Sequence, residues 1–253
     1  LKLLKGIAMT VVASAPQEVI YLEPAPGTLS RLKLTTEDLR QRLISRNAVA
    51  SGGTIDSKTS RFHLVTVGDF NAVDEINKLY DDNLKNLEPW NNNLVGRIVE
   101  ENRVDNILTD DIKSAFENMF KIYMMHNGGP GHDEKSYTMN PNKAWINEMR
   151  AHEYNPMHCH FGDTDMGLTS VLMLKRPSTY GNEHSNAFGK LNGHLHIISG
   201  NAEPFAKPVT ALDLQVGDFC IFPFSLYHAV YPFNGTDEVR RTLSYNCDFE
   251  GFK

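Results

Sequence analysis

The stretch Asn155–Asp165 contains two histidines two positions apart, His158 and His160, and two carboxylates, Asp163 and Asp165. In an extended segment, side chains two residues apart project to the same side. The two imidazoles would therefore converge on one point, with carboxylates close by in the chain. This combination of ligand types predicts a metal site.

A third candidate ligand, His228, comes 68 residues after His160, at the start of another extended run. Imidazole and carboxylate ligands suit non-haem iron, and two histidines with one carboxylate leave three coordination positions open. Structural zinc instead prefers a closed tetrahedral set that is rich in thiolate. Cys159 would point away from the two histidines in an extended segment, so we do not count it as a ligand.

The run from 239 to 248 has the composition of a strand and carries a polar face. A guanidinium and hydroxyls on an inward face are costly to bury unless a partner satisfies them, and a bound carboxylate would do so. Arg241 competes with Arg240 as the carboxylate anchor, but its neighbours on the same face are apolar. We therefore favour Arg240. Strand alternation groups Arg240, Thr242, Ser244 and Asn246 on one face, and Arg241, Leu243, Tyr245 and Cys247 on the other.

Three motifs together resemble the iron(II)/2-oxoglutarate-dependent oxygenases, in particular the prolyl-hydroxylase-like branch and its uncharacterised bacterial and phage members. The first motif is His158-Cys159-His160. The second runs from Gly217-Asp218 through Pro223 to His228, and the third is Arg240-x-Thr242-x-Ser244. The resemblance covers residues 144 to 249. It implies a hydroxylase that uses iron(II) and 2-oxoglutarate, with a small-molecule or peptide substrate.

By this resemblance, His158 and His228 are iron ligands, and Arg240 binds the distal carboxylate of 2-oxoglutarate beside Thr242 and Ser244. The family's usual motif is His-x-Asp, whereas position 160 is histidine. Either His160 is itself a ligand in a three-histidine site, or Asp163 supplies the carboxylate. We expect His158 and His160 to line the metal pocket, with Asp163 as the nearest candidate carboxylate.

The elements around these residues predict a mainly β fold with supporting helices. Helical patterns begin near Thr35, Asp69 and Thr109, whereas short strand-like runs separated by proline, glycine and asparagine fill the chain after Lys143. Many short strands indicate a jelly roll, here a double-stranded β-helix. We predict one domain over 1–253, with an N-terminal elaboration over 1–143 and the catalytic core over 144–253.

Composition excludes several classes of protein. The chain has 253 residues, a net charge of -6 and no polybasic run, so we expect no nucleic-acid partner. The three cysteines are widely spaced and odd in number, which favours a reducing, cytoplasmic location. No segment has the roughly 18 consecutive apolar residues of a membrane span. Residues 1–15 superficially resemble a secretory signal, but we favour an N-terminal strand.

Two other functions fit part of the pattern. A cupin-type dioxygenase or isomerase also uses His-x-His and a late histidine, but it has no need for Arg240. A binding module that retains the barrel without catalysis would hold zinc in a closed site. The sequence alone assigns neither the substrate nor the oligomeric state.

Overall fold

The computed structural model describes residues 8–11, 50–56, 61–66, 71–127, 137–161, 166–183, 191–198 and 209–250. Two α-helices lie within these ranges, α1 (Asn71–Asn83) and α2 (Asp110–Asn127). The strands are β1 (Ala8–Val11), β2 (Ala50–Asp56), β3 (Arg61–Thr66), β4 (Glu88–Pro89), β5 (Glu100–Arg103), β6 (Thr138–Met149), β7 (Asn155–His158), β8 (Gly167–Lys175), β9 (Leu195–Ile198), β10 (Val209–Leu212), β11 (Asp218–Pro223), β12 (Tyr227–Val230) and β13 (Arg240–Glu250).

The strands form two sheets that face each other and a separate pair. The larger sheet has seven strands in the order β1-β11-β8-β13-β6-β5-β4, and the smaller has four in the order β10-β9-β12-β7. Strands β2 and β3 pair with each other. Strand β1 runs parallel to β11, and the remaining described pairs are antiparallel.

Both helices cover the outer face of the large sheet. The Thr109 hydroxyl accepts a hydrogen bond from the Ile112 backbone N–H at 3.4 Å and caps α2, as the sequence predicts. The predicted apolar stripe of α2 is buried against alternate residues of β6, β8, β11 and β13. The stripe consists of Ile112, Phe116, Met119, Phe120 and Tyr123.

A second apolar cluster lies between the two sheets. Its members from the large sheet are Met149, Val171, Met173, Cys220 and Phe222, and those from the small sheet are Leu195, Ile197, Leu212 and Val230. Two antiparallel sheets that enclose a shared core form a jelly roll. The predicted fold class, mainly β with supporting helices, is confirmed. The division into an elaboration and a core stays a prediction.

Several predicted strands agree with the structure. Gly167–Lys175 and Asp218–Pro223 are among the short strands predicted after Lys143, and Ala8–Val11 form the strand favoured near the N-terminus. The short strands β4, β5 and β10 were not predicted, because runs of two to four residues contain too little alternation to be recognised. The helix predicted over 35–47 lies outside the described residues. No helix in the described ranges has the length and apolarity needed to span a membrane.

Arg241 ties the large sheet to α1 through a buried polar network. Its Nε donates to Glu148 at 2.5 Å, its Nη1 to Asn77 at 2.9 Å and its Nη2 to Asp81 at 2.8 Å. The guanidinium also lies 4.5 Å from the centre of the Tyr80 ring. Burial lowers the pKa of Arg241, but the bonds to Glu148 and Asp81 outweigh burial and hold it above its usual value.

Replacing Arg241 with methionine should lower the free energy of unfolding by about 3 kcal/mol, because Glu148 would be left buried without its cation. Chemical denaturation at neutral pH measures this loss. Arg150→Met is the matched control, since Arg150 forms an exposed ion pair with Glu100 and should cost less than about 1 kcal/mol. Equal losses in the two variants would contradict the assigned role of the buried network.

Candidate metal and co-substrate site

The three histidines meet between the sheets. His158 ends β7 and pairs in register with His228 of β12. The chain leaves the strand after His158, and the His160 backbone N–H donates to the Phe224 carbonyl at 2.9 Å, which turns His160 back toward the other two. One ring nitrogen from each histidine lies within 4.8 Å of the others. The described residues thus provide a three-histidine cluster that could hold a metal ion.

Backbone carbonyls fix the tautomers of two of these rings. His158 Nδ1 lies 2.7 Å from the Pro156 carbonyl, and His228 Nδ1 lies 3.0 Å from the Leu226 carbonyl. Because a carbonyl only accepts, each Nδ1 carries the proton and each Nε2 presents a lone pair. His160 Nε2 lies 3.2 Å from His228 Nε2. This orientation by a hydrogen bond on the second ring nitrogen is typical of metal-ligating histidines.

Aromatic side chains hold the His160 ring in place. Trp145 stacks at a centroid distance of 5.9 Å and an interplanar angle of 24°. Phe224 stacks at 5.9 Å and 22°. A Cβ on Gly167 would lie 2.2 Å from the Phe224 ring, so only glycine fits beneath that ring. Trp145 is both buried and in contact with the site.

All three imidazoles are held in the neutral form that binds metal ions. Burial, with a smaller contribution from His158, lowers the pKa of His160 to about 4. Burial and the two neighbouring imidazoles lower the pKa of His228 well below its usual range. Burial also lowers the pKa of His158. A metal ion can therefore bind without displacing protons from these rings at neutral pH.

Asp163 and Asp165 lie outside the described residues, so the choice between a three-histidine set and a set that includes Asp163 stays a prediction. Cys159 lines the same cavity, but its sulfur is not part of the ligand cluster formed by the described residues.

The histidines open into a cavity of about 460 Å³ between the sheets. Strand β13 forms one wall with Arg240, Thr242, Ser244 and Asn246, which are the four residues that alternation placed on one face. Other walls come from β6, β8 and the segment before β5. The lining residues from these elements include Trp90, Asn93, Leu94, Val95, Ile98, Lys143, Trp145, Asn147, Met149, Thr169 and Val171.

Arg240 is the buried cation of this cavity. It is 2% exposed, its Nε donates to the Gly193 carbonyl at 2.9 Å, and its buried Nη2 has no hydrogen-bond partner among the described residues. Thr242 and Ser244 lie beside it, with Asn147 Nδ2 at 3.5 Å and 3.4 Å from their hydroxyls. None of the described residues that line the cavity carries a carboxylate. A carboxylate ligand would therefore satisfy both the charge and the unpaired nitrogen.

Sequence reasoning missed other polar residues in this region. Thr169 interrupts the apolar strand β8 and faces the cavity, and alternation with Leu168 could have revealed it. The sequence contains a second pair of histidines two positions apart, His194 and His196, and both are largely shielded from solvent. His194 is largely buried beside Asp213 at 3.6 Å, and His196 is 4% exposed and packs on Tyr231.

Glu101 is a buried carboxyl group next to the cavity wall. It pairs with Asn147 across β5 and β6, so it faces the same side of the sheet. It is 0% exposed, and neither oxygen has a hydrogen-bond partner among the described residues. A Cβ on Gly96 would lie 2.8 Å from its Oε1. Burial, with a smaller contribution from Glu153, raises the pKa of Glu101 to about 7.

Glu101 should make the protein lose stability as the pH rises. The folded state keeps the proton up to about pH 7, whereas the unfolded state releases it near the ordinary value of 4.5, so folding weakens between these values. The loss should approach about 3 kcal/mol. We expect Glu101→Gln to match the wild type at pH 4.5 and to exceed its unfolding free energy at pH 8. Glu88→Gln, at an exposed carboxylate of β4, is the control and should show no such pH-dependent difference. If the unfolding free energies of Glu101→Gln and the wild type changed in parallel with pH, the raised pKa assigned to Glu101 would be refuted.

Comparison with known proteins assigns the segment that contains this site. Residues 143–246 match the profile of the family described as "Putative 2OG-Fe(II) oxygenase". This segment is similar to that family, and the match covers less than half of the 253 residues of the chain. The resemblance predicted from the sequence is therefore confirmed, and so are the enzyme class, a 2-oxoglutarate-dependent oxidoreductase, and the cofactors, iron(II) and 2-oxoglutarate. The matched segment contains all three histidines and Arg240.

Solved structures with similar folds are distant in sequence. An oxidoreductase of the 2OG-Fe(II) oxygenase family from Burkholderia pseudomallei is 14% identical, with a TM-score of 0.45 over 72% of this chain and 79% of that one. A prolyl-4-hydroxylase from Pseudomonas putida is 14% identical, with a TM-score of 0.44 over 70% and 84%. A Trichoplax adhaerens prolyl hydroxylase, in complex with a hypoxia inducible factor peptide fragment, is 13% identical, with a TM-score of 0.43 over 84% and 93%. No curated protein matches the oxygenase chain.

Proposed function

We propose that this oxygenase is a hydroxylase in which His158, His160 and His228 bind iron(II) and Arg240 binds 2-oxoglutarate. One observation carries the proposal. Three neutral imidazoles that converge on one point share a cavity with a buried guanidinium, and in the part of the chain that the structure describes its Nη2 has no hydrogen-bond partner. The first group suits a divalent metal ion, and the second suits the distal carboxylate of a dicarboxylic co-substrate.

The histidines would hold the iron, and two aromatic residues would hold one of the histidines. When bound, iron supplies the redox chemistry by which dioxygen, 2-oxoglutarate and a substrate C–H bond become succinate, carbon dioxide and a hydroxylated product. His158 and His228 present Nε2 toward the ion because their Nδ1 atoms are held by carbonyls. Trp145 and Phe224 fix the ring of His160 and exclude water from its faces.

The co-substrate would lie along β13. Arg240 would form charge-assisted bonds with its distal carboxylate, and the hydroxyls of Thr242 and Ser244 would donate further bonds along the same wall. Asn147 lies between those hydroxyls and holds them in place. The protein therefore orients the 2-oxo acid by contacts made far from the reacting carbon.

The substrate would enter past the segment that precedes β5. Val95 and Phe161 line the cavity and are 55% and 86% exposed, so they form an apolar rim at its mouth. We propose a small molecule or a peptide side chain as the substrate, because the cavity volume of about 460 Å³ lies in the range of small-molecule sites. We also propose that 1–253 folds as one domain, because α2 shares its core with the large sheet.

Succinate formation tests the proposal. The protein, stripped of metal and then supplied with iron(II), 2-oxoglutarate and oxygen, should form succinate even without its substrate, by uncoupled turnover. Omission of either iron(II) or 2-oxoglutarate should abolish the product. Calorimetric binding of 2-oxoglutarate to the protein loaded with manganese(II) gives a second readout. Metal binding without 2-oxoglutarate binding would overturn the proposal.

A further inference from the structure

Two buried residues that pack against Gly193 each carry a polar group with no hydrogen-bond partner among the described residues. One is Nη2 of Arg240, and the other is the hydroxyl of Tyr180, in the segment that follows β8. Burial lowers the pKa of Arg240, and the neighbouring Tyr180 phenol raises it part of the way back. Because both side chains also pack against Gly193, the two groups lie close together, although no hydrogen bond of normal geometry joins them among the described residues. Buried donors and acceptors without hydrogen bonds lower the stability of the fold unless a ligand supplies the missing partner.

The structure around Tyr180 prevents its ring from moving away. The Arg176 guanidinium lies 4.7 Å from the centre of the ring, and the Phe233 and His194 rings make edge contacts at 5.6 Å and 5.9 Å. Tyr180 is only 8% exposed and does not line the cavity itself. Its hydroxyl thus has a fixed position behind Arg240.

Gly193 connects Tyr180 to Arg240. The Gly193 carbonyl accepts the Nε hydrogen bond of Arg240, and its N–H donates to the Tyr231 carbonyl at 3.1 Å. A Cβ at this position would lie 2.3 Å from the Tyr180 ring, and its φ of +66° also favours glycine. The ring and the guanidinium are therefore packed against the same peptide unit, which sets their relative position.

We propose that Tyr180 is a positioning residue that holds the Arg240 guanidinium in line with the distal carboxylate of 2-oxoglutarate. This inference rests on the proposed function of the cavity. Nε of Arg240 is bound to Gly193, and two N–H groups are needed for a bidentate carboxylate. The phenol oxygen accepts a remaining N–H once the carboxylate draws the guanidinium into place. Tyr180 thereby raises the affinity for the co-substrate without touching it.

The test compares two 2-oxo acids on Tyr180→Phe, which keeps the ring and removes the hydroxyl. The ligands are 2-oxoglutarate and 2-oxopentanoate, in which a methyl group replaces the distal carboxylate. Calorimetry on the manganese(II)-loaded protein should show 2-oxoglutarate binding weakened about tenfold, with 2-oxopentanoate binding unchanged. In turnover, the KM for 2-oxoglutarate should rise by a similar factor while kcat stays within about twofold.

Tyr245→Phe is the matched control. Tyr245 lies on β13 and faces the helices, on the side of the large sheet opposite the cavity, so its loss of a hydroxyl should change neither affinity. An unchanged affinity of Tyr180→Phe for 2-oxoglutarate would overturn the inference. A parallel loss for both acids would also overturn it, since that result would indicate general damage to the cavity. Failure of the wild type to bind 2-oxoglutarate would instead refute the proposed function, so the two failures can be told apart.

Discussion

Arg240→Met should weaken binding of 2-oxoglutarate by at least about 100-fold. The guanidinium is the buried cation of the cavity, and its Nη2 is unpaired among the described residues. Without it, the distal carboxylate would lose its charge-assisted bonds and be left desolvated. Methionine keeps much of the length of the side chain and leaves no cation behind. Calorimetry with the manganese(II)-loaded protein measures the affinity, and succinate formation at saturating iron(II) measures the consequence for turnover.

Arg241→Met provides the control from the neighbouring position. Arg241 faces α1 rather than the cavity, so this variant should lose stability but bind 2-oxoglutarate with the affinity of the wild type. Measurements below the unfolding temperature of both variants separate the two effects. If Arg240→Met kept full activity, the cupin-type alternative would be favoured, because such an enzyme has no need for this guanidinium.

His228→Ala should lower the affinity for iron(II) or manganese(II) by at least about 100-fold and abolish succinate formation. The substitution removes one of three converging ligands, whose Nε2 is oriented by the Leu226 carbonyl. Even loss of a group that only orients a ligand typically costs 10-fold to 100-fold in metal affinity, so loss of the ligand itself should cost more. Equilibrium dialysis against a metal buffer measures the affinity. An unchanged affinity would refute the assigned metal site.

A pair of matched variants separates the two possible ligand sets. His160→Ala should abolish metal binding in a three-histidine site, and Asp163→Asn should then leave the affinity within a few-fold of the wild type. If Asp163→Asn abolished metal binding and His160→Ala kept most of the affinity, the carboxylate would be the third ligand. Removing His160 also empties the space between Trp145 and Phe224, so thermal unfolding of the metal-free variant should be recorded beside the dialysis.

The sequence by itself determined the strands that carry the site. Alternation along β13 separated Arg240, Thr242 and Ser244 from Arg241 and its apolar neighbours, because side chains on a strand repeat with period two. The structure places the first group along the cavity and the second against the helices. Local signals of this kind are strong wherever one face of a strand is buried against a core and the other face is polar.

Sequence reasoning also brought the three histidines together, but for a reason that was only partly right. Convergence by strand alternation requires residues 158 to 160 to form one extended run, whereas β7 ends at His158. His160 reaches the site because its backbone N–H is bound to the Phe224 carbonyl. A hydrogen bond between residues 64 positions apart has no signature in the local sequence.

Only the tertiary structure decided the roles of Tyr180, Gly193 and Glu101. Each contacts residues that are remote in the chain. Tyr180 and Gly193 act on Arg240, and Glu101 lies against Asn147 and Gly96 at the cavity wall. Periodicity and residue type report how a segment folds and which face it buries. They do not report which buried polar atom lacks a partner, because that depends on how the two sheets and their loops close around the cavity.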